Sequence, residues 1–219
     1  MTASDDHLPH GAPREAIGLP PGATAAGAGE DEAKYATTNP VVHRLLTRFI
    51  ADLRLACGTP TEVVVDVGVG EGLSLDLLAF EPRALIGVEY RADKLARATA
   101  RLPQLLGLQA DAGLLPLGDN VADLVVCLEV LEHLVDPARA VVELARICRG
   151  TCVVSVPHEP FFRLGNLARG KDIRRLGNNP EHVGQFRPSS LAKLLGASFA
   201  EVRVERSFPW LIGIATTPL

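Results

Sequence analysis

The chain has 219 residues, 47% of them hydrophobic, with a net charge of -4 at pH 7 and a pI near 5.9. That length suits one well-buried domain with a tail, and the acidic balance excludes the globally basic surface that favours nucleic acid, so no nucleic-acid partner is expected. Acidic residues Asp5 and Asp6 stand where a secretory leader would be basic, no apolar run reaches membrane-spanning length, and Cys57, Cys127, Cys148 and Cys152 form no Cys-x-x-Cys pair; these features predict a cytoplasmic protein with buried thiols and no integral membrane segment.

Residues 1–34 are rich in Ala, Gly, Pro and acidic side chains and lack apolar periodicity, so they predict a disordered tail ahead of a domain spanning 35–219. Asn39-Pro40 then offers a cap followed by proline at the first helical position, and Val41, Val42, Leu45, Leu46, Phe49, Ile50 and Leu53 recur at helical spacing. The stretch from Glu62 to Gly72, EVVVDVGVGEG, follows. Its short, β-branched apolar run reads as a buried strand of a parallel sheet. Gly68, Gly70 and Gly72 allow positive φ and close approach of a ligand to the backbone, while the next helix offers unpaired N–H groups. A nucleotide-like cofactor is expected there.

The spacing predicts a helix over 71–80, a strand over 84–89 ending in a carboxylate, a helix over 91–102, strands over 105–110 and 121–128, a helix over 137–149 and a strand over 151–156. Strands alternating with helices mean βαβ units and a Rossmann-like, doubly wound α/β fold with a parallel sheet covered on both faces. Residues 157–188 form a long irregular segment, placed where lid or substrate loops commonly sit. Arg163, Arg169, Lys171, Arg174, Arg175 and Arg187 outnumber Glu159, Asp172 and Glu181 in it, and Phe161, Phe162, Leu164 and Leu167 add an apolar wall. A solvated lid face is one reading; contact with an anionic or amphiphilic acceptor is the other. At the C-terminal side, Val202 and Val204 alternate with charged residues and Trp210 to Ala215 is a continuous apolar run, as in a hairpin closing the sheet.

A lone glycine-rich turn also begins dinucleotide-binding oxidoreductases. Here the spacing is Gly-x-Gly-x-Gly with Asp66 two residues ahead, not the Gly-x-Gly-x-x-Gly of that fingerprint. Glu89 ends the second strand, where a carboxylate can accept from both ribose hydroxyls, and Asp111 follows the third, where a carboxylate can accept from an adenine amino group; singly, either could be a solvated strand-end carboxylate.

With the ordered motifs VDVGVGEG, GVEYRADKL, QADAGLLPL and VCLEVLEHLVDP and the terminal hairpin, the chain resembles the class I S-adenosylmethionine-dependent methyltransferases, in the small-molecule branch with the Val-Leu-Glu-His-Leu signature. The resemblance implies a seven-stranded, mostly parallel sheet in the order 3-2-1-4-5-7-6 with strand 7 antiparallel. It also implies methyl transfer from S-adenosylmethionine to an oxygen or nitrogen of a small metabolite. By position, Asp66, Gly68, Gly70 and Gly72 would hold the methionine moiety and Glu89 the ribose. Tyr90 would lie beside the adenine, Asp111 with Ala112 would read its edge, and Cys127 and Glu129 would line the region near the sulfonium.

His133, His158 and His182 are the titratable candidates near the transferred methyl. Glu129, Glu132 and His133 stand at i, i+3 and i+4 and share one face if that turn is helical; they then either cap the turn or, with His182, form a hard-metal site. Two branches of the resembled family, the polyprenyl catechol and small-RNA 2′-O-methyltransferases, use a similar Glu-x-x-Glu-His, which implies Mg²⁺ or Mn²⁺ as an alternative for a catechol-like or vicinal-diol acceptor. The Val-Pro-His-Glu-Pro after the fifth strand departs from the Pro-Asn of the RNA enzymes. A non-catalytic binding module that kept the fold is the alternative of another class.

Overall fold

The computed structural model describes residues 39–60, 62–159 and 184–217. The expected tail over 1–34 and the greater part of 157–188, His182 included, lie outside the described residues.

Helix α1 spans Pro40–Cys57 and starts as its sequence demands: Asn39 Oδ1 accepts from the N–H groups of Val41 at 2.9 Å and Val42 at 3.4 Å, and proline occupies the first turn. It stops at Gly58, whose φ of 64° lets its N–H return to the Arg54 carbonyl at 3.0 Å. Then follow β1 (Val63–Val67), α2 (Leu73–Leu78), β2 (Ala84–Glu89), α3 (Ala92–Arg101), β3 (Leu105–Gln109) and β4 (Ala122–Leu128). A 3₁₀ turn (Leu131–His133), α4 (Pro137–Ile147), β5 (Cys148–Pro157), α5 (Pro188–Leu195), β6 (Glu201–Ser207) and β7 (Trp210–Thr216) complete the described elements.

The seven strands form one sheet in the order β3-β2-β1-β4-β5-β7-β6, with β7 antiparallel to both neighbours. That is the order and the reversal the family resemblance implies. Alternation along β1 sorts its side chains: Val64 joins the layer beneath α1, α2 and α3, while Val65 joins the layer beneath α4 and α5. The first layer holds Leu46, Phe49, Ile50 and Leu53 of α1; the second holds Ala140, Val141, Leu144, Leu191 and Leu195. Each fully buried Leu of this kind contributes about 1.5–3 kcal/mol. The four cysteines are free and buried, and no helix among the described residues is long and apolar enough to cross a membrane.

Two boundaries differ from expectation, each for a backbone reason. The helix expected over 71–80 is only Leu73–Leu78, because Gly72 at φ 79° and Ala79 at φ 53° are left-handed and close it at both ends. The strand expected over 151–156 runs from Cys148 to Pro157: α4 ends at Ile147, and Cys148 turns directly into extended backbone and pairs with Ala122.

Candidate functional site

The glycine turn sits at the carboxyl end of β1, between the two central strands, where open α/β sheets bind ligands. Gly68, Gly70 and Gly72 all have positive φ, at 83°, 57° and 79°. The Gly68 and Val69 N–H groups donate to the Val88 carbonyl at 2.7 and 3.0 Å, which folds the turn back onto β2. A side chain at Gly68 would collide with Val130 Cγ2, so the turn and the segment after β4 are packed as closely as glycine permits. Arg97 of α3 holds the turn's buried Glu71 at 2.8 Å.

Glu89 at the end of β2 is tied to this turn. Its Oε2 accepts from the Gly70 N–H at 3.0 Å and its Oε1 from the Arg91 N–H at 2.9 Å. Each carboxylate oxygen keeps a further lone pair for a ligand hydroxyl. Asp66 is 2% exposed, its Oδ1 has no hydrogen-bond partner among the described residues, and burial, reinforced by the Glu89 charge, pushes its carboxyl up to about 7. An orphaned acceptor of this kind suits a cationic group seated on the glycine turn.

Beyond β3, Asp111 Oδ1 accepts from the Gly113 N–H at 2.7 Å, and the Gly113 carbonyl accepts from Arg139 Nε of α4 at 2.8 Å. Tyr90, Gln109, Ala110 and Asp111 line a cleft of about 360 Å³. Tyr90 is exposed, Ala112 is half-buried beside the cleft, and Gln109 Nε2 donates to the Tyr90 carbonyl at 3.1 Å. Gln109 and Val130 were not singled out by the sequence; Gln109 ends the third strand two residues before Asp111, which is the signal that could have found it.

On the other side of the turn, Cys127 is fully buried and the Glu129 N–H donates to the Ser155 carbonyl at 2.9 Å, with Glu129 itself at φ 55°. Burial, then Asp66 and Glu132, raise the Cys127 thiol well above its ordinary value, so it is neutral. His158, after β5, is 8% exposed; its N–H donates to the Pro209 carbonyl at 2.9 Å, and burial followed by the Arg206 charge holds its imidazole below the usual value.

The expected shared face of Glu129, Glu132 and His133 is not formed. Glu129 lies outside the three-residue turn in a left-handed conformation, Glu132 is 1% exposed, and adjacent His133 faces solvent. The Glu132 carbonyl accepts from the Gly184 N–H at 2.9 Å. Among the described residues, no group of three or more His, Cys, Asp or Glu side chains could hold a metal ion. His182 lies outside them.

A family model described as a methyltransferase domain matches residues 65–154. A Mycobacterium tuberculosis protein named as a probable S-adenosylmethionine-dependent methyltransferase is 36% identical over 152 residues, which are 68% of this chain and 53% of that protein. Trans-aconitate 2-methyltransferase of Methylobacterium nodulans is 33% identical over 165 residues, covering 71% of this chain and 60% of that protein. The chain thus spans between half and two thirds of the length of these relatives. Among solved structures, a methyltransferase from Thermotoga maritima superposes with a TM-score of 0.64 at 21% identity, covering 81% of this chain and 92% of that one. That last likeness is one of fold.

Proposed function

From the premise that the chain belongs to the class I S-adenosylmethionine-dependent methyltransferases, we propose that it transfers a methyl group from S-adenosylmethionine to an oxygen or nitrogen of a small metabolite. The observation that carries this reading is the Glu89 carboxylate clamped on the Gly70 N–H beside the buried, orphaned Asp66 Oδ1. When bound, the sulfonium offers its methyl to an in-line nucleophile and leaves as a thioether.

The chain's own residues then divide the work. Asp66 with Gly68, Gly70 and Gly72 would hold the methionine end, Glu89 the ribose, and Tyr90, Asp111 and Ala112 the adenine side. Cys127 and Glu129 would line the passage to the acceptor and keep water out. His158, neutral at pH 7, is the described histidine best suited to accept the proton from a hydroxyl as it attacks, or from an ammonium to free the attacking amine; His133 and His182 are the other candidates. The working unit is residues 35–219, with 157–188 as the acceptor-facing loop. An anionic acceptor agrees with that loop's basic excess and with the relative named for trans-aconitate.

The test is conversion of S-adenosylmethionine to its demethylated product in the presence of carboxylates, amines, catechols, sugars and polyprenyl phenols, with NAD binding measured alongside. Turnover dependent on one acceptor class is the expected result. Binding of NAD in place of S-adenosylmethionine would overturn the reading.

A further inference from the structure

Between Gly68 and Gly72 the turn carries two side chains, Val69 and Glu71. Each is buried, at 3% exposure, whereas Gly68 and Gly70 stay half-buried. Val69 lies in the apolar layer beneath α1, α2 and α3, which also holds Ala98 of α3. Glu71 meets the same helix: Arg97 Nη1 donates to Glu71 Oε1 at 2.8 Å, and four residues on, Arg101 Nε donates to the Glu71 carbonyl at 3.2 Å. Residues four apart share a helix face, so both arginines reach the turn from one side of α3. Between them Ala98 closes on Gly72, where an added Cβ would stand 3.2 Å from Ala98 Cα.

α3 begins shortly after Glu89, the carboxylate that accepts the Gly70 N–H. The turn is therefore fastened at two neighbouring points, Gly70 on the carboxylate ahead of α3 and Glu71 on the helix itself. Glycines leave a backbone free to take many conformations, and a loop already held in its binding conformation binds more tightly because less ordering remains to be done. A buried carboxylate is unfavourable unless a cation meets it. Glu71 places such a carboxylate inside the turn, and Arg97, whose side chain is 54% exposed, meets it from the surface.

We propose that Arg97 is a positioning residue for the methyl donor: by holding Glu71, it fixes the glycine turn in the conformation that receives the methionine end of S-adenosylmethionine. This rests on the methyltransferase reading and deepens it. Arg97 acts through Glu71 and does not itself touch the cofactor; Arg101 adds a second tie at the Glu71 carbonyl. The effect falls on cofactor affinity, whereas an ion pair that served only the fold would change melting and leave the affinity of the folded chain alone.

The experiment is a double-mutant cycle read in cofactor affinity. The full chain, Arg97→Gln, Glu71→Ala and the double variant are titrated calorimetrically with S-adenosylhomocysteine below their melting temperatures. Arg97→Gln is expected to weaken binding about tenfold, equivalent to about 1.4 kcal/mol, and to add no further loss once Glu71 is alanine. Arg97→Lys, which keeps the charge, should recover most of the affinity. Spectra of glycine-labelled protein without ligand should show the Gly70 and Gly72 amides displaced in Arg97→Gln and returned in Arg97→Lys. Arg83→Met, which breaks the exposed Arg83–Glu62 pair at 3.1 Å, should change neither readout. Should Glu71→Ala not fold, Glu71→Gln takes its place, and the Arg97 substitution should then cost less than in the wild type. The proposal is overturned if folded Arg97→Gln binds as tightly as the wild type, if the two losses add in full, or if Arg97→Lys loses as much as Arg97→Gln. If S-adenosylhomocysteine does not bind the folded wild-type chain, the methyltransferase reading fails first and the positioning role fails with it.

Discussion

Glu89 fastens the glycine turn to the second strand by accepting the Gly70 N–H at 3.0 Å. The same carboxylate also accepts from the N–H of Arg91, the residue just ahead of α3, at 2.9 Å. A residue proposed to hold the ribose therefore also shapes the turn that holds the methionine. Glu89→Ala should weaken S-adenosylhomocysteine by about 10- to 100-fold, the worth of one hydrogen bond to a charged group at about 1.5–3 kcal/mol. Glu89→Gln, which keeps one carbonyl acceptor, should lose less. Calorimetric titration of both variants checks the order.

Gly68 is the least replaceable residue of the turn, since its φ of 83° is left-handed and a side chain would strike Val130. Gly68→Ala should cost about 1–2 kcal/mol in backbone conformation alone, with further loss from the collision. Adding Val130→Ala should recover only the second part. Thermal unfolding of the single and double variants separates the two contributions.

Asp66 gives stability a definite pH dependence. Its carboxyl titrates near 3.8 when unfolded and at about 7 when folded, so between those values the native state holds a proton that the unfolded chain releases. Stability contributed at this position therefore falls as pH rises through that window and is level above it. Asp66→Asn should gain on the wild type as pH rises from 4 toward 7, measured as the difference in Tm. A cationic ligand favours the ionised form, so S-adenosylmethionine binding should release a proton below about pH 7, visible as buffer-dependent calorimetric heats.

Much of this architecture is legible in the chain. The β-branched run before Gly68 and the acid-ended strand closing at Glu89 fixed their elements closely, because burial on both faces leaves a continuous apolar signature. α2 is shorter than its sequence suggests because Ala79 carries no sign of its left-handed φ of 53°. At the site, Asp66 and Glu89 stood out by their positions after strands. The parting of Glu132 from His133 did not, because it depends on a turn of three residues that a spacing rule treats as helix.

Arg146 of α4 anchors the loop that follows Asp111. It donates to the Leu117 carbonyl at 2.7 Å and the Leu115 carbonyl at 3.1 Å, and pairs with Glu143, whose Oε2 accepts from the Leu115 N–H at 2.8 Å. The guanidinium holds Glu143 below the usual carboxylate range. Glu143→Ala should destabilise the fold by about 1–3 kcal/mol, since it leaves the Leu115 N–H without its acceptor and leaves Arg146 with Asp119, at 2.8 Å, as its carboxylate partner. Arg146→Lys, which lacks the planar fork, should recover little relative to Arg146→Ala. Denaturant titration of the three variants tests this.

The central claim is that the turn at Gly68–Gly72, with Asp66 and Glu89, holds S-adenosylmethionine. The most direct measurement is calorimetric titration of the folded chain with S-adenosylmethionine and S-adenosylhomocysteine, beside Glu89→Ala. The account predicts saturable one-to-one binding of both, weakened in the variant. A folded wild-type chain that binds neither, or a Glu89→Ala variant that binds both as well as the wild type, would contradict it.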